Sequence, residues 1–167
     1  MAIQVEPARI FVADTDSSIV ELMQDLLQDE GYSVTVLQHA ANVYEEIRQT
    51  LPDLVILDIT LECPGDGWLT LDKLTHNAET SQVPVIICSA DVRALRARQD
   101  DLGVLGCVSI EKPFDIDTLL TAIQQGLADK LPVKTLTTQH KEMYRDSDVL
   151  DGIGAAADRM MTVRPAR

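Results

Sequence analysis

Four side chains that could handle a phosphoryl group stand at or just after the ends of apolar runs typical of buried strands: Asp14, Asp58, Ser89 and Lys112. In an open α/β sheet, ligands bind in the crevice beyond the carboxyl ends of the strands, so side chains at these positions can converge. Carboxylate oxygens suit a hard divalent cation, and an ammonium pairs with a phosphoryl oxygen as a point charge. The pattern therefore favours metal-assisted chemistry on a phosphoryl group.

The elements that position these side chains alternate between strand-like and helix-like patterns from about residue 8 to about residue 129. Short apolar runs alternate with segments whose apolar residues recur at helical spacing. This predicts five β-α units, a parallel sheet and helices on both of its faces. The strand runs are continuously apolar, which also indicates a parallel sheet, because the strands of such a sheet are buried on both sides. The predicted fold class is α/β.

Local signals predict where several helices begin and end. Asp16 could cap the first helix, and Ser18 begins an S-x-x-E capping-box pattern at the same place, so two starts stay open. Gly31 predicts the end of that helix. One later helix is predicted from residue 92 to about residue 102, closed by Gly103.

The charge balance limits the partners that this chain can bind. Fourteen basic and 27 acidic residues give a net charge of −13, and 46% of the residues are hydrophobic. A polyanion would be repelled, so neither nucleic acid nor an anionic membrane surface is an expected partner. The hydrophobic share indicates a globular chain, and no apolar stretch approaches the ~20 residues that span a bilayer.

The cysteines and the first residues predict a cytoplasmic protein. Cys63, Cys88 and Cys107 are odd in number and not closely paired, which fits a reducing compartment better than a disulfide framework. Residues 1–9 lack the apolar core of a signal peptide.

The alternation of strands and helices stops before the last part of the chain. Residues 131–167 hold six basic and five acidic residues, whereas residues 1–130 hold 8 basic and 22 acidic residues and carry a charge of −14. Apolar residues between Met143 and Met161 could line one helix face, although two glycines oppose a continuous helix by about 1 kcal/mol each. We therefore predict that residues 130–167 form a C-terminal tail or helical extension that makes protein contacts.

Five motifs in order together resemble the receiver domain of the two-component response regulators, the CheY-like family: Asp14, Pro52–Ile59 around Asp58, Asp66-Gly67-Trp68, Val83–Ile86 leading to Ser89-Ala90, and Lys112-Pro113-Phe114. Each motif is weak alone, but the ordered set is a strong signal. The resemblance covers residues 8–129. It implies a doubly wound, flavodoxin-like sheet of five parallel strands in the order 2-1-3-4-5, with a cis peptide bond before Pro113.

The resemblance also implies a function and the residues that perform it. A histidine kinase or a phosphotransfer protein would donate a phosphoryl group to Asp58, helped by Lys112 and Ser89. Mg²⁺ would be bound by Asp14, Asp58 and the backbone carbonyl of Thr60. Catalysis would be mostly positioning and charge stabilisation, limited to self-phosphorylation and self-dephosphorylation.

The chain departs from the family pattern at positions that modulate this site. Thr15 stands where a second acid usually contacts the metal, which predicts weaker Mg²⁺ binding unless Asp16 supplies the charge. Ser109 replaces the aromatic residue usually found three positions before the lysine. Thr60 and Asp91 flank the path of the hydrolytic water in receivers. Asp91 could orient that water, which predicts transient phosphorylation, or it could cap the next helix.

Three functions stay open on the sequence alone. The first is a stand-alone receiver that signals to a downstream protein through protein contacts. The second is a receiver-like interaction module without phosphorylation, which Thr15 and Ser109 favour. The third is a haloacid-dehalogenase-like phosphatase with Asp14 as nucleophile, although no later strand ends in the acidic pair that such enzymes use. Three arginines between residues 93 and 98 form either a solvated face or a partner or homodimer surface.

Overall fold

The computed structural model describes residues 6–39, 42–63 and 65–129 of the 167-residue chain, and strands and helices alternate within them. The strands are β1 (Arg9–Ala13), β2 (Ser33–Leu37), β3 (Leu54–Asp58), β4 (Val85–Ser89) and β5 (Val108–Glu111). The helices are α1 (Ser17–Asp29), α2 (Val43–Thr50), α3 (Asp66–His76), α4 (Val92–Ala97), α5 (Gln99–Val104) and α6 (Ile116–Asp129).

The strands form one parallel sheet in the order β2-β1-β3-β4-β5, which confirms the predicted doubly wound fold. The last residue of β3, Asp58, pairs with Cys88 of β4. On the other side of β4, Ser89 pairs with Glu111 of β5, and Lys112 follows directly. Because all these strands run in the same direction, their polar ends meet at one edge of the sheet.

Helices cover both faces of the sheet because its central strands bury side chains on both sides. All five residues of β3 and all five of β4 are buried. One core cluster includes Ile47 of α2, Leu71 of α3 and Leu95 of α4. The other includes Met23 of α1 and Leu119 of α6. Burying one such side chain contributes about 1.5–3 kcal/mol, so the two clusters hold the polar edge of the sheet in place.

The first helix begins where Asp16 caps it. The Asp16 carboxylate accepts hydrogen bonds from the backbone amides of Ser18 and Ile19 at 2.9 and 3.4 Å, which confirms this cap. The alternative start, a capping box beginning at Ser18, is wrong because Ser18 lies inside the helix and its amide is one of the capped donors. Gly31 has a φ of +87°, the left-handed conformation expected just after a helix end.

The single helix predicted after β4 is wrong, because the chain breaks at Arg98 into α4 and α5. Leu95 and Leu102 are both buried, and their spacing of seven residues suits one continuous helix, so the apolar pattern hides the break. Gly103 lies inside α5 rather than closing it. The left-handed residue of the following turn is Gly106, with a φ of +69°.

The predicted tail, residues 130–167 with the apolar stretch from Met143 to Met161, lies outside the described residues. Its contacts therefore stay a prediction. In the part of the chain that the structure describes, no helix is long and apolar enough to cross a membrane.

Candidate functional site

Lys112 joins two buried carboxylates at the polar edge of the sheet. Its Nζ donates hydrogen bonds to Asp14 Oδ2 at 2.5 Å and to Asp58 Oδ2 at 2.8 Å. The side chains of Lys112, Asp14 and Asp58 are 11%, 3% and 6% exposed, respectively. The structure therefore brings together three of the predicted site residues in one place that excludes most water.

The fold explains how Lys112 reaches Asp58 across an intervening strand. β4 lies between β3 and β5, and neighbouring strands are ~4.8 Å apart, a span that a lysine side chain can cover. The Lys112 backbone amide donates to the carbonyl of Ser89 at 2.8 Å, which holds the base of the side chain beside β4. The peptide bond between Lys112 and Pro113 is cis, which confirms the prediction for Pro113.

Burial and pairing shift the protonation of the groups in this cluster. Burial raises the pKa of the Asp14 carboxyl, and the hydrogen bonds from Lys112 and from the Asp16 amide oppose that shift only in part. Burial also lowers the pKa of the Lys112 ammonium. The hydrogen bonds to Asp14 and Asp58 outweigh that effect, so the Lys112 pKa lies above its ordinary value. The ammonium therefore carries its charge at neutral pH.

Thr60 holds the second oxygen of the Asp58 carboxylate. Its backbone amide and its side-chain hydroxyl each donate a hydrogen bond to Asp58 Oδ1 at 2.7 Å. The hydroxyl contact was not predicted, since Thr60 was expected to act through its backbone carbonyl. The spacing was a signal for the amide contact alone, because an Asp side chain commonly bonds to the backbone two residues further on.

Asp16 does not complete a three-acid site. Its backbone amide donates to Asp14 Oδ1 at 3.0 Å, but its own carboxylate caps α1. Thr15 lies exposed between the two acids. Among the described residues, no group of three or more Asp, Glu, His or Cys side chains could hold a metal ion.

The oxygen atoms of the cluster still fit Mg²⁺. This cation is usually bound by one or two carboxylates and keeps several of its waters. Asp14 and Asp58 both contact the same ammonium, so their oxygens are close enough to serve one small site. The Thr60 carbonyl could add a neutral oxygen ligand, and that role stays a prediction.

Ser89 and Asp91 form a hydrogen-bonded turn beside the cluster. Ser89 is fully buried, and its hydroxyl oxygen accepts a hydrogen bond from the Asp91 amide at 3.1 Å. Asp91 Oδ1 accepts from the Ala94 amide at 2.9 Å, so Asp91 caps α4. That Asp91 also orients the hydrolytic water stays a prediction. Ser109 is exposed on β5, at the edge of the sheet.

Gly67 allows the start of α3 to lie against the backbone at Asp58. A Cβ atom at position 67 would stand 2.3 Å from Ile59 Cα and 2.6 Å from the Asp58 carbonyl oxygen. Both distances are far below van der Waals contact, so a larger residue requires the backbone to shift. The glycine of the Asp66-Gly67-Trp68 motif therefore has a packing reason beside the site.

Comparison with known protein families decides to which family this chain belongs. The sequence model of the response regulator receiver domain matches residues 10–124, a range that contains the whole cluster. The chain belongs to the response regulator receiver family. Receiver domains bind Mg²⁺ at their active site and interact with histidine kinases and downstream targets.

Curated relatives of this receiver differ in length. PilH of Pseudomonas aeruginosa is 31% identical over 123 residues, which covers 72% of this chain and 98% of PilH. The nitrogen assimilation regulatory protein NtrX of Azorhizobium caulinodans is 28% identical and covers 94% of this chain, but this chain spans 37% of NtrX. It spans 54% of the transcriptional regulatory protein BaeR of Escherichia coli, which is 28% identical and covers 80% of this chain.

Solved receiver structures share the fold. The CheY-like receiver domain from Methanospirillum hungatei has a TM-score of 0.63 at 22% identity, covering 74% of this chain and 96% of that one. The receiver domain of a sensor histidine kinase from Pseudomonas aeruginosa, solved with magnesium in its active site cleft, has a TM-score of 0.63 at 18% identity. It covers 73% of this chain and 98% of that one. At these identities the likeness concerns the fold alone.

Proposed function

We propose that this receiver accepts a phosphoryl group on Asp58 from a histidine kinase or a phosphotransfer protein. The observation that carries the proposal is the Asp58 carboxylate, buried at the end of β3 and 2.8 Å from the Lys112 ammonium. A carboxylate in this position can attack phosphorus while the cation offsets the charge that gathers there. Phosphoryl acceptance is general to the family, which supports the same reaction.

In the transfer step, an Asp58 carboxylate oxygen bonds to phosphorus as the P–N bond of the donor phosphohistidine breaks. The electron pair of that bond returns to the imidazole nitrogen. We assign Oδ2 as the attacking oxygen, because its donor, Lys112, is the group that moves to the phosphoryl oxygens, whereas Thr60 holds Oδ1 with two hydrogen bonds. Lys112 then moves from Oδ2 to the phosphoryl oxygens while it keeps its contact with Asp14.

Lys112 and Ser89 have hydrogen-bond donors available for the phosphoryl group. An ammonium has three N–H donors, and Asp14 keeps one of them after Lys112 leaves Asp58 Oδ2, so the others can reach phosphoryl oxygens. The Ser89 hydroxyl acts as an acceptor toward the Asp91 amide, which leaves its own O–H to donate to a second phosphoryl oxygen. Both hydrogen bonds become stronger as negative charge develops on the phosphoryl oxygens.

Mg²⁺ fits this scheme as a weakly bound cofactor held by Asp14, Asp58 and the Thr60 carbonyl. When bound, the cation supplies positive charge that screens the carboxylates from the phosphoryl oxygens. Thr15 contributes no charge, and Asp16 uses its carboxylate to cap α1. The site therefore has less negative charge than a three-acid receiver and should bind Mg²⁺ less tightly.

We propose that the phosphorylated state is short-lived and that its chemistry is limited to self-phosphorylation and self-dephosphorylation. Asp91 lies two residues after Ser89 and is exposed, so its free carboxylate oxygen can contact an incoming water. Thr60 is short and leaves that approach open. Ser109 supplies no ring to the edge of the sheet, so the aromatic part of the usual receiver switch is absent at this position.

Output is proposed to run through a downstream protein in the cytoplasm rather than through nucleic acid or a membrane, because the chain carries a net charge of −13. A stand-alone receiver is supported by the match that spans 98% of PilH. NtrX and BaeR extend well beyond the matched region, so this arrangement stays a proposal. The downstream protein and a homodimer also stay predictions.

The second candidate is a receiver that binds its partners without phosphorylation. Thr15 favours it, because this residue weakens the metal site on which phosphoryl transfer depends. The haloacid-dehalogenase-like alternative has lost its support. The family match explains Asp58 and the Lys112-Pro113-Phe114 unit, which that alternative leaves unexplained.

Incubation with Mg²⁺ and acetyl phosphate, followed by intact mass measurement, separates these candidates. The phospho-acceptor proposal expects wild type to gain one phosphoryl mass, Asp58→Ala to gain none and the exposed control Asp72→Ala to behave as wild type. No gain by wild type, under conditions where a known receiver reacts, would favour the binding module.

A further inference from the structure

Trp68 and Arg98 form a contact between the start of α3 and the junction of α4 with α5. The centre of the Arg98 guanidinium lies 4.6 Å from the centroid of the Trp68 ring, a cation–π geometry. Trp68 is partly buried against the core cluster that includes Leu57 and Leu95. Arg98 is the residue at which the helix breaks, since it ends α4 and precedes α5.

Gly67, the residue before Trp68, packs directly against the backbone of Asp58, the proposed phospho-acceptor. The space at Gly67 is limited by Ile59 Cα and by the carbonyl oxygens of Asp58 and Ile59. A shift of the first turn of α3 therefore displaces the backbone that carries the Asp58 carboxylate. No side chain caps the helix at its N-cap residue, Gly65, so the contacts of Trp68 contribute to holding this turn in place.

A second arginine, in α4, contacts the residue that precedes Lys112. Arg96 donates to Glu111 at 3.3 Å, and Glu111 is the last residue of β5, immediately before Lys112. Arg98 thus contacts Trp68 in α3, and Arg96 contacts Glu111 in β5. Arg96 and Arg98 therefore have partners within the fold, and whether the three arginines form a solvated face or a partner or homodimer surface stays a prediction.

We propose that Trp68 and Arg98 are positioning residues that couple the Asp58 site to the junction of α4 and α5. The inference rests on the proposed function, because the ligand that the coupling senses is the phosphoryl group on Asp58. When that group draws Lys112 and Ser89 toward it, the backbone at Asp58 moves against Gly67, and Trp68 stacks more closely on Arg98. Trp68 thereby carries the signal that receivers usually transmit through an aromatic residue at the position of Ser109.

Coupling between two sites is reciprocal for binding free energies. A phosphoryl mimic at Asp58 should therefore change the environment of Trp68, and loss of the Arg98 side chain should weaken binding of the mimic. An exposed cation–π contact corresponds to about a two- to five-fold change in affinity. Trp68 is the only tryptophan of the chain, so tryptophan emission reports the surroundings of this one ring.

The test measures beryllium fluoride binding in the presence of Mg²⁺ by calorimetry, together with tryptophan emission, on the full chain. Three variants are compared: Arg98→Ala, Arg98→Lys and the control Arg93→Ala, which alters another exposed arginine of α4. We expect Arg98→Ala to bind about two- to five-fold more weakly and to lose the ligand-induced change in emission. Arg98→Lys keeps the cation and should recover part of both, whereas Arg93→Ala should match wild type.

The outcomes separate this inference from the proposed function. If wild type binds no beryllium fluoride, the proposed function fails and the coupling fails with it. If wild type binds and Arg98→Ala matches Arg93→Ala in affinity and in its ligand-induced emission change, the coupling alone is overturned. Thermal melting of each variant identifies a loss of folding, and Arg98→Lys then provides the comparison.

Discussion

Lys112 Nζ lies 2.8 Å from Asp58 Oδ2, although 54 positions separate the two residues in the chain. The same ammonium contacts Asp14, which is 98 positions away. Three charged groups from the ends of β1, β3 and β5 therefore share one buried place. The charge of Lys112 offsets the repulsion between the two carboxylates, so it contributes to folding as well as to the proposed chemistry.

Replacing Lys112 by methionine should lower the free energy of unfolding by about 3 kcal/mol, because it leaves two buried carboxylates without their cation. Methionine has a similar volume, so the loss reports charge rather than a cavity. Urea denaturation of wild type and variant measures it. Lys73→Met serves as the control: this lysine is exposed and lies 5.7 Å from the Tyr44 ring, so its loss should lower stability by at most about 1 kcal/mol. Equal losses in the two variants would contradict the account.

The Lys112 contribution should also depend on pH in a defined direction. Its folded pKa lies above the ordinary value of 10.5, so its stabilisation is complete below pH 10.5 and is lost as the pH rises through the folded value. The Asp14 pKa is raised above 3.8, so protonation of this carboxyl stabilises the fold as the pH falls through the folded pKa. The stability difference between wild type and Lys112→Met should therefore shrink above pH 10.5. A constant difference would contradict this assignment.

The convergence of Asp14, Asp58 and Lys112 could be predicted because polar residues at the carboxyl ends of parallel strands share one edge of the sheet. The contact of the Thr60 hydroxyl with Asp58 could not be predicted from the sequence, because it depends on a side-chain rotamer rather than on spacing. The helix break at Arg98 was hidden for another reason. Leu95 and Leu102 keep helical spacing across it, and the core accepts both.

Gly67→Ala should lower the free energy of unfolding by about 3 kcal/mol, at the upper end of overpacking effects, because its Cβ would lie 2.3 Å from Ile59 Cα. The matched control is Gly103→Ala. This glycine lies within α5 and a Cβ there would meet nothing within 4 Å, so alanine should stabilise that helix by up to about 1 kcal/mol. Thermal or urea unfolding of both variants measures the contrast. A loss at position 103 as large as that at position 67 would show that the close approach at Asp58 is not the cause.

Thr15→Asp should tighten Mg²⁺ binding by roughly ten-fold, because it restores a carboxylate next to Asp14. Isothermal titration calorimetry of the full chain measures the affinity. Ser17→Asp adds the same charge two residues further on, at the start of α1, and should change the affinity much less. No gain from Thr15→Asp, or equal gains from both variants, would mean that position 15 does not face the metal.

Two substitutions separate the possible roles of Asp91. Asp91→Asn keeps an oxygen that can accept from the Ala94 amide, so stability should stay near that of wild type. Asp91→Ala removes the cap and should lower stability by about 1 kcal/mol. Both variants lose the carboxylate, so both should prolong the phosphorylated state if that group orients water. An unchanged dephosphorylation rate in both would leave Asp91 with the cap alone.

The most direct test of the account is to locate the phosphoryl group itself. After reaction with acetyl phosphate and Mg²⁺, borohydride reduces an aspartyl phosphate to homoserine, and peptide mass spectrometry identifies the modified position. The account predicts homoserine at position 58 in wild type and its absence from Asp58→Asn and from unreacted protein. Modification at position 14 with none at position 58 would contradict the assignment of Asp58 and return Asp14 to consideration as the nucleophile.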